Sequence, residues 1–253
     1  MADRDEIVRF CDELLDSGSF TDYGPNGLQV PGTPEVASIA TAVSAHRESI
    51  ETAVESGADL LLTHHGLFWD FHPRSLSGQM ATRLKLALGS GLSVAGYHLP
   101  LDAHPEIGNN VLLCRQFGFE PEPAAIGLVK GRGIGAIGRR EPALPASELF
   151  DLVEAELGRA PLVFADGPQE IGSIGIVSGS ASSEIHTAID LGLDAFLTGE
   201  PSEHVMADAR EGAINFIAAG HYATEVCGIR RLGEIVAGRF DLTHTFVDVP
   251  NPI

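Results

Sequence analysis

Several features are scarce in this chain of 253 residues, and each scarcity argues against a class of protein. The three cysteines, Cys11, Cys114 and Cys227, are isolated and odd in number, so neither a disulfide framework nor a cysteine zinc site is expected. No apolar run approaches the roughly 18 residues of a membrane span. The acidic N-terminus also lacks the basic start and apolar core of a signal peptide. We therefore expect a cytoplasmic protein that does not insert into a membrane.

Positive charge is scarce as well. Only Lys85 and Lys130 are lysines, and 35 acidic against 16 basic residues give a net charge of −19. Sequence-independent binding to nucleic acid needs a basic surface and is therefore disfavoured. The acidic excess is typical of a halophile-like protein, whose charge repulsion would be screened within about 3 Å at molar salt. An ordinary acidic cytoplasmic protein is the alternative interpretation.

The first part of the chain has the pattern of an α/β fold. Helical spacing of apolar residues predicts a helix over 5–16, and turn residues predict a loop over 22–27. Strands over 36–42 and 59–63, with a helix over 48–56 between them, would form a β-α-β unit. The second strand is a continuous apolar run, as expected of a parallel strand covered on both faces.

The second half repeats this pattern. A shift of 135 residues aligns 36–66 with 171–201 without a gap, and identical pairs include Gly57/Gly192, Asp59/Asp194 and Thr63/Thr198. We therefore predict an internal duplication with two related α/β domains, whose sheets are flanked by helices. The predicted domains are 1–125 and 126–253, divided where Pro121, Pro123 and a run of glycines interrupt the pattern. The C-terminal segment is free to pack back on the first domain.

The glycine-rich stretch over 131–138 resembles a phosphate-binding loop only superficially. It follows no clear buried strand and lacks the Lys-Ser/Thr ending of such loops, so we interpret it as a glycine-rich strand. The segment over 144–157 then predicts the next helix.

Histidines and carboxylates follow apolar segments at three places in the chain. They are His64 and His65, then His98 and Asp102, and finally His221 and Glu225. Imidazole nitrogens together with carboxylate oxygens suit a borderline divalent transition metal. One catalytic ion usually takes three protein ligands, so six candidate groups fit two metals that share a carboxylate better than one.

Each motif also has a purely structural interpretation. Adjacent histidines occur by chance, and they point to opposite faces of a strand unless a turn begins at His65. Asp102, on a loop shaped by Pro100, is otherwise the N-cap of the following helix. His221 and Glu225 are otherwise a surface pair on one helical face. We favour the metal interpretation because all three motifs fall at equivalent sheet edges, where ligands bind in open α/β sheets.

These motifs resemble those of the Nif-three-like dinuclear metal family, whose members are often named GTP cyclohydrolase 1 type 2 homologues. The similar segments occur in the correct order along nearly the whole chain. They are DYGPNGLQ (22–29), THHG (63–66), HLPLDAHP (98–105), GNN (108–110), TGEPSE (198–203) and GHYATE (220–225). The chain resembles the short form of the family, without the inserted domain that some relatives carry between the halves.

The resemblance implies a set of metal ligands in which Glu225 is the bridge between two ions: His64, His65, Asp102, His221 and Glu225. It also implies a dimetal cleft between two similar domains, and a toroidal homohexamer. The cofactors would be two divalent ions per chain, either zinc, iron, manganese or nickel. His98, Glu200 and Glu203 are expected to line the site without being ligands, in positions that orient the ligating histidines.

The resulting hypothesis is a metal-dependent hydrolase related to the GTP cyclohydrolase homologues, acting on a small molecule or nucleotide. His98 is the candidate general acid or base, because imidazole titrates near the working pH. The alternative is a non-catalytic metal-binding oligomer that serves as a carrier, regulator or interaction scaffold. A nucleic-acid clamp, suggested by the ring shape, is disfavoured by the net charge of −19.

Overall fold

Parallel strands joined by helices form the centre of both large sheets in the computed structural model, which describes residues 1–73, 75–122 and 126–253. The first elements are β1 (Ala2–Asp3), α1 (Arg4–Leu14), β2 (Gly27–Val30), β3 (Glu35–Val36), β4 (Ser38–Ser44), α2 (Arg47–Glu55), β5 (Leu60–His65), α3 (Gly78–Ser90), β6 (Ser93–Gly96) and α4 (Leu99–Asp102). The next are α5 (Asn109–Gln116), β7 (Glu120–Glu122), β8 (Leu128–Val129), β9 (Arg132–Gly133), β10 (Ala136–Pro145), α6 (Ala146–Leu157), β11 (Leu162–Ala165) and β12 (Glu170–Val177). The last are α7 (Ile185–Asp190), β13 (Ala195–Thr198), α8 (Val205–Glu211), β14 (Asn215–Ala218), α9 (His221–Phe240) and β15 (Thr243–Phe246). Across the described ranges, no helix is both long enough and apolar enough to cross a membrane.

The chain divides into two compact units. The first contains Met1–Leu101 and Gly228–Val249, and the second contains Asp102–Cys227 and Pro250–Ile253. The C-terminal strand belongs to the first unit because β15 pairs in parallel with β4. The boundary predicted near residue 125 adjoins residues 123–125, Pro123 among them, which lie outside the described ranges, and the domains 1–125 and 126–253 stay a prediction.

The first unit is built on a five-stranded sheet in the order β15-β4-β5-β6-β2. The central strands β4, β5 and β6 are parallel, and β2 adds an antiparallel edge. The predicted β-α-β unit is present as β4, α2 and β5. Leu60, Leu61 and Leu62 are fully buried, as a parallel strand covered on both faces requires. Ile50 and Ala53 of α2 pack in the same core as Leu61.

The second unit is built on a six-stranded sheet in the order β11-β14-β13-β12-β10-β7. Its strands β12, β13 and β14 are parallel, and β10 and β11 pair with them antiparallel. The prediction of a single strand over 131–138 was wrong. Gly131 has a positive φ of 86°, which makes the turn between β8 and β9, and β10 begins only at Ala136.

The two units repeat one hydrogen-bond arrangement at positions 135 residues apart. Oδ2 of Asp59 accepts from the backbone N–H groups of residues 37 and 38, at 2.8 and 3.1 Å. Oδ2 of Asp194 accepts from those of residues 172 and 173, at 3.0 and 2.8 Å. Each aspartate precedes a central parallel strand and ties it to the start of its neighbour. This match supports the internal duplication, which stays a prediction.

We predict that Asp194→Ala lowers the free energy of unfolding by about 2 kcal/mol, because it leaves the two backbone donors without their acceptor. Urea unfolding followed by circular dichroism measures this loss. Asp190→Ala is the matched control, because Asp190 is exposed at the end of α7. Equal losses in the two variants would contradict the structural role of Asp194.

Candidate metal centre

The adjacent histidines end strand β5 in the first unit. No turn begins at His65, because β5 pairs with β4 through His65 itself. His64 is fully buried, and its Nδ1 lies 3.1 Å from the carbonyl oxygen of Tyr97. A carbonyl only accepts, so Nδ1 of His64 carries the hydrogen, and this tautomer presents Nε2 as a ligand atom. Nδ1 of His65 lies 3.1 Å from Oγ of Ser44.

The ring of His98 lies close to the rings of His64 and His65. Its ring centre lies 5.1 Å from that of His64 and 5.5 Å from that of His65. One nitrogen of each ring lies within 4.8 Å of the other two, which is spacing suited to a metal ion. His64, His98 and Trp69 also line a cavity of about 10 Å³, which is about the space that one water molecule needs.

Asp22 positions His98 within the same unit. Oδ1 of Asp22 lies 2.8 Å from Nδ1 of His98, and Oδ2 accepts a hydrogen bond from the backbone N–H of Leu99 at 3.0 Å. Burial opposes ionisation of Asp22, but hydrogen bonds and the charge of His98 outweigh it and lower the pKa of Asp22 to about 2. The carboxylate therefore stays charged at neutral pH. Sequence reasoning placed Asp22 in a loop and did not find this role, although the turn residues around it marked the segment.

Asp102 lies in the second unit at the end of α4, a single helical turn where a loop was predicted. Pro100 is tolerated there because the N–H groups of a first turn have no intrahelical acceptor. The side chain is almost fully buried and accepts hydrogen bonds from Nδ2 of Asn109 at 2.8 Å and Oγ of Ser178 at 3.3 Å. Asp102 does not cap α5, whose N-cap is Gly108.

His221 and Glu225 lie one turn apart at the start of α9, directly after the carboxyl end of β14. Nε2 of His221 is 3.2 Å from Oε2 of Glu225, and only 4% of the Glu225 side chain is exposed. Nδ1 of His221 forms a hydrogen bond with Glu200. Glu200 therefore contacts one of the candidate ligands, whereas Glu203 is exposed.

The charge state of His221 follows from these contacts. Burial favours the neutral imidazole, but the carboxylates of Glu225 and Glu200 outweigh that effect and raise the pKa of His221 to about 9. At neutral pH the imidazole therefore carries a proton between two carboxylates. A cation must displace that proton to bind Nε2, because only the neutral ring donates a lone pair.

The turn Ser178–Gly179 supports the carboxylates of this unit. Ser178 contacts Asp102, and the backbone N–H of Gly179 donates to Oγ1 of Thr224 at 3.3 Å. Gly179 has a positive φ of 69°, and a Cβ there would lie only 2.6 Å from Oε1 of Glu225. Only glycine leaves room for the His221–Glu225 pair. Sequence reasoning missed this turn; its place directly after the carboxyl end of β12 was the available signal.

A cavity of about 380 Å³ in the second unit is lined by Glu200, the partner of His221. Glu200, Gly199 and Gly220 line one part of it, and Arg159 places a guanidinium on its wall. The volume is within the range of small-molecule binding sites.

Comparison with known proteins places the chain in a family. A family model described as Duf34/NIF3 (NGG1p interacting factor 3) matches residues 2–252. The chain belongs to the DUF34/NIF3 family. Its relatives include a protein of Pseudomonas aeruginosa named GTP cyclohydrolase 1 type 2 homolog, 44% identical over 97% of both chains. A protein of the same name from Escherichia coli K12 is 41% identical over 98% of both chains. The family resemblance seen in the sequence motifs is thus confirmed.

Solved structures show the same fold as this DUF34/NIF3 chain. A structure titled protein ybgI, of unknown function, matches with a TM-score of 0.92 at 39% identity, over 100% of both chains. TTHA1606 from Thermus thermophilus matches with a TM-score of 0.89 at 34% identity, also over 100% of both chains. Reduced HcgD from Methanocaldococcus jannaschii has a TM-score of 0.84 at 23% identity, over 98% of both chains, a likeness of fold alone.

The donor groups of the DUF34/NIF3 chain fit a divalent transition metal. The first unit holds imidazole nitrogens, and the second holds an imidazole and carboxylate oxygens, the types of donor that such ions prefer. His64, Asp102 and Glu225 are at least 96% buried, which is costly for carboxylates unless positive charge or hydrogen bonds compensate. Gly179 adds no side chain of its own to the space beside Glu225 and His221.

We predict that Gly179→Ala destabilises the protein more than a positive φ alone explains, because its Cβ collides with Glu225. Gly158→Ala is the matched control: Gly158 has a similar φ of 67°, but a Cβ there would meet nothing within 4 Å. The strained backbone alone costs about 1 kcal/mol, and the collision adds to it. Urea unfolding of the two metal-free variants measures their losses in the free energy of unfolding. Equal destabilisation would show that Gly179 serves only the turn.

We predict that the metal-free protein loses stability as pH rises from 6.5 to 9. His221 has a pKa of about 9 when folded and an ordinary value of 6.5 when unfolded. Between these values the folded state binds more protons, so its stabilisation is complete below pH 6.5 and lost as pH passes 9. Glu200→Gln should flatten this slope, because it removes one charge that raises the pKa.

Unfolding by urea at several pH values, in the presence of chelator, measures that slope. Glu234→Gln is the control, because Glu234 is exposed on the same helix and is paired with Arg231. A slope that Glu200→Gln leaves unchanged would exclude His221 as its source.

Proposed function

We propose that this DUF34/NIF3 chain binds two divalent transition-metal ions and is a metal-dependent hydrolase. The proposed ligands are those that the family motifs imply, with Glu225 as the bridge: His64, His65, Asp102, His221 and Glu225. The observation that carries the proposal is the His221–Glu225 pair. Nε2 of His221 and Oε2 of Glu225 are 3.2 Å apart, the pair follows the carboxyl end of β14, and Glu200 contacts Nδ1 of His221.

The surroundings of these residues support metal binding. Ligating histidines in proteins usually donate their other ring N–H to a carboxylate or a carbonyl, which fixes the ring. His221 contacts Glu200 in this way, and His64 contacts the carbonyl of Tyr97. Asp102 is held by Asn109 and Ser178. Divalent ions bound here would supply Lewis acidity and lower the pKa of water toward neutrality.

His98 is the proposed general acid or base. Asp22 accepts from Nδ1–H of His98 at 2.8 Å, which fixes the ring and leaves Nε2 as the nitrogen that exchanges a proton with substrate. The charged carboxylate of Asp22 also stabilises the imidazolium that forms when His98 takes up a proton. Asp22 is therefore a positioning residue, and His98 is the group that moves the proton.

The proposed substrate is a small molecule of the nucleotide type. The names of the relatives from Pseudomonas aeruginosa and Escherichia coli suggest GTP. The cavity beside Glu200 is large enough for part of such a molecule, and Arg159 offers one positive charge to an anionic group. The family resemblance further suggests a homohexamer in the cytoplasm.

The decisive measurement is elemental analysis of protein purified without chelator or an affinity nickel column, followed by a screen of nucleotide hydrolysis. We expect about two transition-metal ions per chain to depend on the proposed ligands, as in two-metal hydrolytic sites. Glu225→Ala should lose metal and activity together. Glu234→Ala is its control, because Glu234 is exposed on the same helix and is not a proposed ligand.

His98→Ala tests catalysis separately from metal binding. We expect it to keep both ions and to lose activity by a factor of about 10² to 10⁴, the usual contribution of a general acid or base. His72→Ala, at an exposed histidine of the same unit, should retain full activity. Activity in metal-free Glu225→Ala would refute the mechanism. Two bound ions without turnover of any nucleotide would favour the non-catalytic carrier or scaffold.

A further inference from the structure

A second group of potential metal ligands lies on the surface of the second unit, apart from every residue used in the proposed function. It consists of His186 on α7, His204 directly before α8, and Asp208 on α8. One ligand atom of each lies within 4.8 Å of the other two. This surface cluster was not predicted from the sequence, because its two histidines are 18 residues apart and no local motif connects them.

The distances within the surface cluster suit a shared cation. Nε2 of His186 lies 3.5 Å from Oδ2 of Asp208, and Nδ1 of His204 lies 2.6 Å from the same oxygen. With bonds of about 2.1 Å, tetrahedral ligand atoms lie about 3.4 Å apart. The first separation already fits, and the second needs to open by less than about 1 Å to reach that spacing. The two rings are nearly parallel, with an interplanar angle of 11°.

The backbone that carries the surface cluster is anchored in the core of the second unit. Each ligand has a buried neighbour in sequence: Ile185 before His186, Val205 after His204, and Ala209 after Asp208 are at most 1% exposed. The backbone N–H of Asp208 also donates to the carbonyl of His204 at 3.2 Å, so these two residues keep one helical geometry. Preorganised ligands lower the entropic cost of binding.

We propose that His186, His204 and Asp208 form a separate surface site for one divalent cation of the zinc class. Two imidazoles and one carboxylate are three of the four ligands that zinc takes, and water completes the coordination on the exposed side. The hydrogen bond from His204 to Asp208 joins two of the three ligands in the absence of metal. This site is independent of the dinuclear centre, because the two share no residue.

Equilibrium dialysis of the full chain against Zn²⁺ tests this site. We expect His186→Ala and His204→Ala each to bind about one ion fewer per chain than the unmodified protein, because three ligands are the usual minimum for a protein zinc site. Asp208→Asn keeps the shape of the side chain but removes its charge, and should lose the same ion. His72→Ala, at another exposed histidine, is the control and should lose none.

Modification with diethyl pyrocarbonate, located by mass spectrometry, tests the site without any substitution. Zn²⁺ should protect His186 and His204 but not His72. Equal zinc content in the unmodified protein and His204→Ala would overturn the proposal, and so would an equal loss in His72→Ala. The proposed hydrolase is tested separately by the metal content and activity of Glu225→Ala. That substitution leaves the surface cluster intact.

Discussion

The burial of negative charge at the edge of the second sheet is the constraint on which the candidate centre depends. Asp102 and Glu225 are both at least 96% buried, and buried carboxylates are stable only when hydrogen bonds or positive charge compensate them. The protein meets this cost locally. Asn109 and Ser178 donate to Asp102, and the protonated ring of His221 lies against Glu225. A divalent cation could replace the proton of His221 as the positive charge that stabilises these carboxylates.

The two sheets deliver their functional side chains in the same way. In each unit three parallel strands run side by side, and polar residues lie at or just after their carboxyl ends: His64 and His65 in one sheet, and His221 in the other. The paired aspartates, Asp59 and Asp194, tie the strands at their opposite ends. Strand order and a repeated hydrogen-bond tether thus position the edge of each sheet, while the residues at that edge differ between the units and provide different candidate ligands.

Much of this arrangement was predictable from the sequence. The apolar run that ends at Thr63 identified a buried strand, and the four-residue spacing of His221 and Glu225 placed both on one helical face. Predictions failed where a local rule has an exception. Pro100 was expected to keep Asp102 in a loop, but proline is tolerated in a first helical turn. The glycines over 131–138 were interpreted as one strand, whereas Gly131 makes a hairpin turn.

The sequence by itself determined the family, the α/β class and the histidines and carboxylates that are candidates for metal binding, because these follow from local motifs and hydrophobic periodicity. Tertiary structure alone decided which residues support them. Asp22 reaches His98 across 76 positions of sequence and Ser178 reaches Asp102 across 76, while Gly179 leaves space beside Glu225. The packing of α7 and α8 likewise decided that His186 meets Asp208. Such contacts join residues that are far apart in the sequence, and no local sequence pattern encodes them.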